Sequence, residues 1–203
     1  MPITTPPRRR WFQFSLRTLF VVVTLLCVTL GVVLHRARAR REALQAIDEL
    51  GGGYSITIGG PAWLRSIVKD DKYFYDISRI SFRNRPERPF TDEDLASVID
   101  SINVFKRAKT LDLTDTDVTD NGSRHLCRVQ NLERLRLGST TITDAGLTDA
   151  GLVNLEPLVS LQELDISDTT VTDEGIARFK RSVPACRVQH LQYKRGNRSS
   201  ATH

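Results

Sequence analysis

The sequence of 203 residues has little of the chemistry on which most enzymes and disulfide-rich domains depend. It contains three cysteines, four histidines and one methionine, too few for a disulfide scaffold or a metal-rich protein. No phosphate-binding loop, dinucleotide fingerprint or zinc-ligand spacing occurs in the sequence. His125 has no serine, cysteine or aspartate at a recognisable catalytic spacing. We therefore expect no enzyme activity, no cofactor and no small-molecule substrate.

Acidic residues are missing from the first 41 positions, which hold eight arginines. Residues 42–203 carry the other 21 basic side chains and all 24 acidic ones. The formal net charge of +5 therefore arises at the N-terminus, and the rest of the chain is mildly acidic. A mildly acidic body does not favour binding to a phosphate backbone, so no nucleic-acid partner is expected.

Residues 18–34 form an uncharged apolar run. At about 1.5 Å per residue its 17 positions would span roughly 26 Å as a helix, close to the thickness of a hydrocarbon core. Arginines flank the run on both sides, and Trp11, Phe12 and Phe14 are suited to a membrane interface. We expect a basic, aromatic tail at residues 1–17 and a single membrane-spanning helix at residues 18–34.

Two alternatives to a stable anchor are a cleaved signal peptide and a helix buried in a soluble protein. Ala37 and Ala39 formally supply the small residues of a cleavage site, although arginines surround them. The orientation is nearly balanced, because four arginines precede the run and four follow it. Short N-terminal tails usually stay inside the cell, which favours an extracytoplasmic body.

The body contains a short internal repeat. Three segments begin at Leu111, Leu135 and Leu164. Each starts with Leu-x-(Leu/Ile), has another apolar residue seven positions after the first leucine, and then has the pair Thr-Asp. The intervals are 24 and 29 residues, and a tandem copy of Thr-Asp-Ala-Gly-Leu at 143–152 explains the extra five. A degenerate copy precedes them at 80–92, and a terminal half-copy is assigned to Cys186-Arg-Val188.

The repeat pattern predicts an α/β fold. Leu-x-Leu places two apolar side chains on one face of a short strand, and stacked strands form a parallel sheet. Thr-Asp is typical of a helix N-terminus, where a hydroxyl accepts from an orphan amide and the carboxylate suits the helix dipole. We predict a membrane-proximal helix and cap at 35–75, a repeat domain at 76–190 and a disordered tail at 191–203.

The pattern at Leu132–Leu147 and Leu161–Ile176 resembles that of leucine-rich repeat proteins. The whole layout, an arginine-flanked anchor followed by a glycine-rich break and few repeats, resembles bacterial membrane-anchored leucine-rich repeat proteins of unassigned function. This resemblance implies protein–protein interaction and a single-pass location in the bacterial cytoplasmic membrane. Threonines stand where that family often has asparagine, and we expect them to bond to loop backbone: Thr116, Thr140 and Thr169.

The exposed strand positions predict a partner-binding surface of charged side chains. Its candidate residues are Arg79, Asp112, Arg134, Arg136, Glu163, Asp165 and Arg187. One column is expected to run Ser81, Asp112, Arg136, Asp165 and Arg187. Alternating charges on strands about 4.8 Å apart can pair with one another, so the column is either a structural ladder, a binding face, or both.

The aspartates from Asp112 to Asp120 do not form a calcium loop of the EF-hand type. Counted from Asp115, the positions that need glycine and glutamate hold Asp120 and Leu126. The sequence therefore favours a non-catalytic, membrane-tethered protein-interaction module. The alternative is a structural envelope-associated protein that binds cell-wall polymer or itself.

Overall fold

A computed structural model describes residues 16–58, 75–82, 88–139 and 146–192. The chain divides into two compact units, residues 1–38 and 39–203. Several sequence predictions lie outside the described residues: the aromatic tail before residue 16, the part of the predicted cap at 59–74, the loop residue Thr140, and the chain after residue 192.

Helix α1 spans Leu16–Glu49 and contains the whole apolar run at residues 18–34. Its most apolar window has a mean hydropathy of 2.4, and none of that window is buried. The hydroxyls of Thr24 and Thr29 donate to the carbonyls of Phe20 and Leu26 at 2.8 and 2.9 Å, so their polar groups are satisfied within the helix. By length and composition, α1 is suited to crossing a membrane.

The last turns of α1 belong to the second unit, where Ala43 and Ile47 are buried. The helix ends at the predicted glycines. Gly51 takes a left-handed φ of 73° and its N–H donates to the Asp48 carbonyl, while the Gly52 N–H donates to the Ile47 carbonyl. This pair of bonds is the Schellman arrangement, which glycine accepts without strain.

Six strands form one sheet in chain order: β1 Gly53–Ile58, β2 Tyr75–Ser81, β3 Thr110–Asp112, β4 Arg134–Arg136, β5 Glu163–Asp165 and β6 Arg187–Gln189. Strand β1 runs antiparallel to β2, and every later pair is parallel. The predicted parallel repeat sheet is confirmed, with an antiparallel strand added at its N-terminal edge.

Four helices return the chain between the parallel strands: α2 Asp92–Asn103, α3 Asp120–Leu126, α4 Asp149–Asn154 and α5 Asp173–Ser182. The Leu-x-Leu positions are buried, as the pattern predicts, and form one continuous core with the inner faces of the helices. Helix α4 has only six residues, and the chain leaves the helix at Leu155, before Pro157.

The turn after each repeat strand has the same backbone conformation. Asp115, Ser139 and Asp168 all adopt a left-handed φ of 56–59°, and each N–H donates to a carbonyl of the following repeat at 2.8–3.1 Å. The next residue is the expected threonine: the hydroxyls of Thr116 and Thr169 donate to carbonyls three residues earlier at 2.7 Å. The predicted local bonding of these two threonines is confirmed.

The repeats are joined by a second, side-chain array, which we call the Thr–Asp ladder. The first aspartates of α2, α3 and α4 each accept two hydrogen bonds from the N-cap threonine of the next repeat, one from its N–H at 2.8 Å and one from its hydroxyl at 2.6–2.7 Å. The rungs are Asp92–Thr119, Asp120–Thr148 and Asp149–Thr172. The threonine hydroxyl also accepts from its own helix's backbone, as the capping prediction requires.

The ladder also explains the glycine of the Thr-Asp-x-Gly motif. A Cβ at Gly122, Gly151 or Gly175 would overlap the carboxylate of the preceding repeat's aspartate. Glycine is therefore needed so that the helix backbone can approach the rung. The sequence predicted the threonine cap but assigned the aspartate only to the helix dipole, and gave the glycine no role.

Candidate functional site

The candidate site is the outward surface of strands β2–β6, which we call the strand face. The sheet register arranges its side chains in two columns. The first column is Arg79, Thr110, Arg134, Glu163 and Arg187. The second is Ser81, Asp112, Arg136, Asp165 and Gln189. Neighbouring members lie about 4.8 Å apart along each column.

The register corrects the predicted position of Arg187. It pairs with Glu163 in the first column and not with Asp165 in the second, where Gln189 stands instead. The cause is the alignment of the last repeat: Val188, not Cys186, pairs with Leu164, so the final interval is 24 residues. Cys186 instead fills the buried apolar position that precedes the strand, as Leu161 does one repeat earlier. The N–H of Cys186 donates to the Val183 carbonyl, and the N–H of Leu161 donates to the Leu158 carbonyl.

The second column is only partly the predicted charge ladder. Arg136 Nη1 lies 3.8 Å from Asp112 Oδ2, but no ion pair joins it to Asp165 among the described residues. Both aspartates are engaged in their own turns. Asp112 accepts from the Thr114 N–H and hydroxyl, and Asp165 from those of Ser167. The carboxylates of this column therefore serve mainly to fix the turns.

The first column differs because its arginines make no bonds of this kind to the protein's own turns. Arg79, Arg134 and Arg187 are exposed, and in the part of the chain that the structure describes none of their guanidinium groups has a hydrogen-bond or ion-pair partner. Glu163, which stands between two of them, instead accepts from the Gln189 side chain at 2.9 Å. Three cations are thus presented on every second strand, about 10 Å apart.

Some other basic side chains of the same domain are paired. Lys109 forms an ion pair with Glu133, Arg107 with Asp76 at 3.3 Å, and Arg128 with Asp100 at 2.9 Å. The first column is distinguished by three exposed, unpaired guanidinium groups that lie in one line along the strand face. Five N–H donors in a planar fork suit carboxylates or phosphates, so this column favours an anionic ligand.

The cysteines offer no reactive centre in the described repeats. Cys27, Cys127 and Cys186 are all free. Burial raises the pKa of the Cys186 thiol from 9.0 to about 11, a shift that Lys180 lowers and Glu163 adds to. A thiol with this pKa is almost entirely protonated at neutral pH and is a poor nucleophile. Cys127 is exposed at the end of α3.

Residues 130–153 and 158–179 match the leucine-rich repeat family model. No curated protein matches the chain in sequence. The matched ranges contain β4, β5 and most of α4 and α5, and the first ladder rung shows that the same unit extends back to Asp92 in structure. Leucine-rich repeats generally serve as protein-interaction modules, and the strand face carries three exposed arginines without partners among the described residues.

Proposed function

We propose that this chain is a membrane-tethered, non-catalytic protein-interaction module whose strand face binds an acidic segment of a partner protein. The observation that carries the proposal is the first column: Arg79, Arg134 and Arg187 are exposed and unpaired among the described residues. Unpaired arginines lose little on binding, because no internal ion pair must be broken, and they gain charge-assisted hydrogen bonds to carboxylates.

Helix α1 supports the tether. Its apolar part carries exposed leucine, valine and phenylalanine side chains that are costly in water and favourable in lipid. A single span would hold the repeat domain at a membrane surface of a bacterial cell, on the extracytoplasmic side by our expectation. Tethering raises the local concentration of the strand face near other membrane proteins and so favours weak partners.

The binding surface is tested by photo-crosslinking in intact cells. A photoreactive amino acid replaces Arg134 on the strand face in one variant and Lys180, exposed on α5, in the control. We expect a discrete protein adduct from position 134 and none from position 180. Adducts from position 180 alone would contradict the proposal. An adduct that a cell-wall hydrolase shortens would favour the envelope-polymer alternative.

The tether and the orientation are tested with the native thiols. An impermeant maleimide is applied to intact cells, and labelled peptides are identified by mass spectrometry. We expect exposed Cys127 to be modified in intact cells if the repeats are extracytoplasmic, and buried Cys186 to be modified only after denaturation. Labelling of Cys127 only after lysis would place the repeats in the cytoplasm. Release of the chain from membranes by carbonate would exclude a spanning helix.

A further inference from the structure

The charge of the strand face alternates from strand to strand between β4 and β6. The outward residues of β4 are both basic, those of β5 are both acidic, and those of β6 are an arginine and a glutamine: Arg134 and Arg136, Glu163 and Asp165, Arg187 and Gln189. Neighbouring strands lie about 4.8 Å apart. A ligand that crosses these three strands therefore meets a basic, an acidic and again a basic surface.

The acidic strand keeps one carboxylate oxygen of Asp165 for a donor from outside the chain. Asp165 Oδ1 accepts from the Ser167 N–H and hydroxyl at 3.1 and 2.7 Å, whereas Oδ2 has no donor among the described residues. Oδ2 is also not enclosed, because the only buried side-chain polar atom without a partner in the described part of the chain is His190 Nε2. The turn thus uses one side of the carboxylate and leaves the other open.

Asp112 provides a direct comparison in the same column. Its Oδ1 accepts from the Thr114 N–H and hydroxyl at 3.2 and 2.7 Å, as Asp165 does in its own turn. Its Oδ2, however, lies 3.8 Å from Arg136 Nη1. Arg136 stands between the two aspartates in the sheet register and, among the described residues, forms an ion pair with Asp112 alone. The charge of Asp112 is therefore partly compensated within the chain, and that of Asp165 is not.

Glu163, the other acidic residue of β5, is less suited to a further cation. It accepts from the Gln189 side chain at 2.9 Å, and it stands between Arg134 and Arg187 in the first column, whose charges repel a cation. A segment that is acidic throughout would, in turn, bring a carboxylate against Asp165, and like charges across an interface are unfavourable.

The spacing of the strands suits a helix that crosses them. Successive turns of an α-helix lie 5.4 Å apart, close to the strand separation of about 4.8 Å. Alternate side chains of an extended segment are spaced more widely, at roughly 6.6 Å. A basic side chain on one turn and acidic ones on the turns before and after it would match the order of charge from β4 to β6.

We infer that the partner segment is a helix with a basic side chain between two acidic ones, in which the basic side chain binds Asp165 and the acidic ones bind Arg134 and Arg187. This inference rests on the proposed function, because it concerns the same strand face. It adds that Asp165 selects among acidic segments by its charge.

The probes are three synthetic, alanine-rich helical peptides of about 18 residues, long enough to form a helix. Each has two glutamates two helical turns apart, and the turn between them holds lysine, glutamine or glutamate. Their affinities for the full-length chain in detergent micelles are measured by fluorescence anisotropy at low ionic strength, where charge pairs are least screened. We expect the lysine peptide to bind about threefold more tightly than the glutamine peptide, and the glutamate peptide to bind most weakly.

Two matched variants identify the residue responsible. Asp165→Asn keeps an oxygen that can accept from Ser167 and removes the charge, so it should bind the lysine and glutamine peptides equally. Asp112→Asn makes the same change in the turn of Thr114, where Arg136 already lies beside the carboxylate. It should therefore keep the threefold preference for lysine.

The possible failures separate the inference from the proposed function. Equal binding of the three peptides, or a preference for lysine that Asp165→Asn keeps, would overturn the inference alone, provided that Arg134→Gln weakens all three peptides. A preference lost equally in Asp165→Asn and Asp112→Asn would also overturn it, because the net charge of the strand face would then be the selective feature. If no peptide binds, or if Arg134→Gln changes none of the affinities, the proposed function fails as well.

Discussion

The Thr–Asp ladder and the strand face run through the same repeats, and they differ in how much of their charge is used inside the chain. In the ladder, each of the three internal aspartates accepts two hydrogen bonds from the next repeat. On the strand face, Arg79, Arg134 and Arg187 have no partner among the described residues. Residues that recur in the repeats hold the repeats together, and the charged residues that vary between repeats are the ones we propose for recognition.

The largest loss of stability is expected from a substitution at a glycine where the Thr–Asp ladder leaves no space for a Cβ. Gly151→Ala would place a Cβ against the Asp120 carboxylate and 2.7 Å from Leu147 Cδ1. We expect a loss of about 3 kcal/mol in the free energy of unfolding, from overpacking together with a displaced rung. Urea denaturation measures it. The control Gly53→Ala, whose Cβ would have its nearest neighbour at 4.0 Å, should change stability by less than about 0.5 kcal/mol. Equal losses would contradict the close-approach role of the glycine.

Removing the aspartate of a rung should lower the free energy of unfolding by less than filling the glycine does. Asp120→Ala leaves the Thr148 N–H and hydroxyl without their acceptor, and we expect a loss of about 2 kcal/mol. Asp173→Ala, which breaks no internal rung, should cost less than about 1 kcal/mol, mainly the helix-dipole contribution. If the two variants unfold at the same urea concentration, the aspartates act only as helix N-terminal charges and the ladder carries no stability.

Burial of Cys186 predicts an alkaline instability. Its pKa is raised in the folded chain from 9.0 to about 11, so folding favours the protonated thiol. That stabilisation is complete below pH 9 and is lost as the pH rises from 9 towards 11. By pH 10 the wild type should lose stability, on the order of 1 kcal/mol, that Cys186→Ala keeps, relative to pH 8. The check is the free energy of unfolding of both proteins measured between pH 8 and pH 10. If the two curves of unfolding free energy against pH run parallel, the thiol does not titrate in this range.

Most of the fold could be predicted from short sequence patterns. Leu-x-Leu spacing predicted the strands, the Thr-Asp pairs predicted the helix starts, and the glycines after Leu50 predicted the end of α1. These features depend on local geometry, which a short stretch of sequence contains. The first return helix begins in the same way, with a capping box formed by Thr91 and Asp94.

Contacts between repeats were harder to predict. The pairing of Asp120 with Thr148 joins residues 28 positions apart, and nothing in either repeat alone identifies the partner. The last register was wrong because Cys186 and Val188 imitate the Leu-x-Leu spacing, whereas the core uses Val188 as the first strand residue and His190 as the second. Of the four site residues predicted to share one column, Asp112, Arg136 and Asp165 do so and Arg187 does not. Whether they bind a partner stays a prediction.

The smallest effect on stability and the largest on binding are expected from the same substitutions. The triple variant Arg79→Glu, Arg134→Glu and Arg187→Glu alters exposed side chains that have no internal partner among the described residues, so the free energy of unfolding should change by no more than about 1 kcal/mol. The matched control reverses Lys180 and Arg181 on α5, which are exposed.

The most direct test of the account is a pull-down of formaldehyde-crosslinked complexes from cells that express these two charge-reversed variants. We predict that the partner recovered with the wild type and with the α5 control is lost from the strand-face variant, while the melting temperatures of all three proteins agree. A strand-face variant that keeps the partner, or that loses it only because the repeat domain unfolds, would contradict the claim that the unpaired arginine column is the recognition surface.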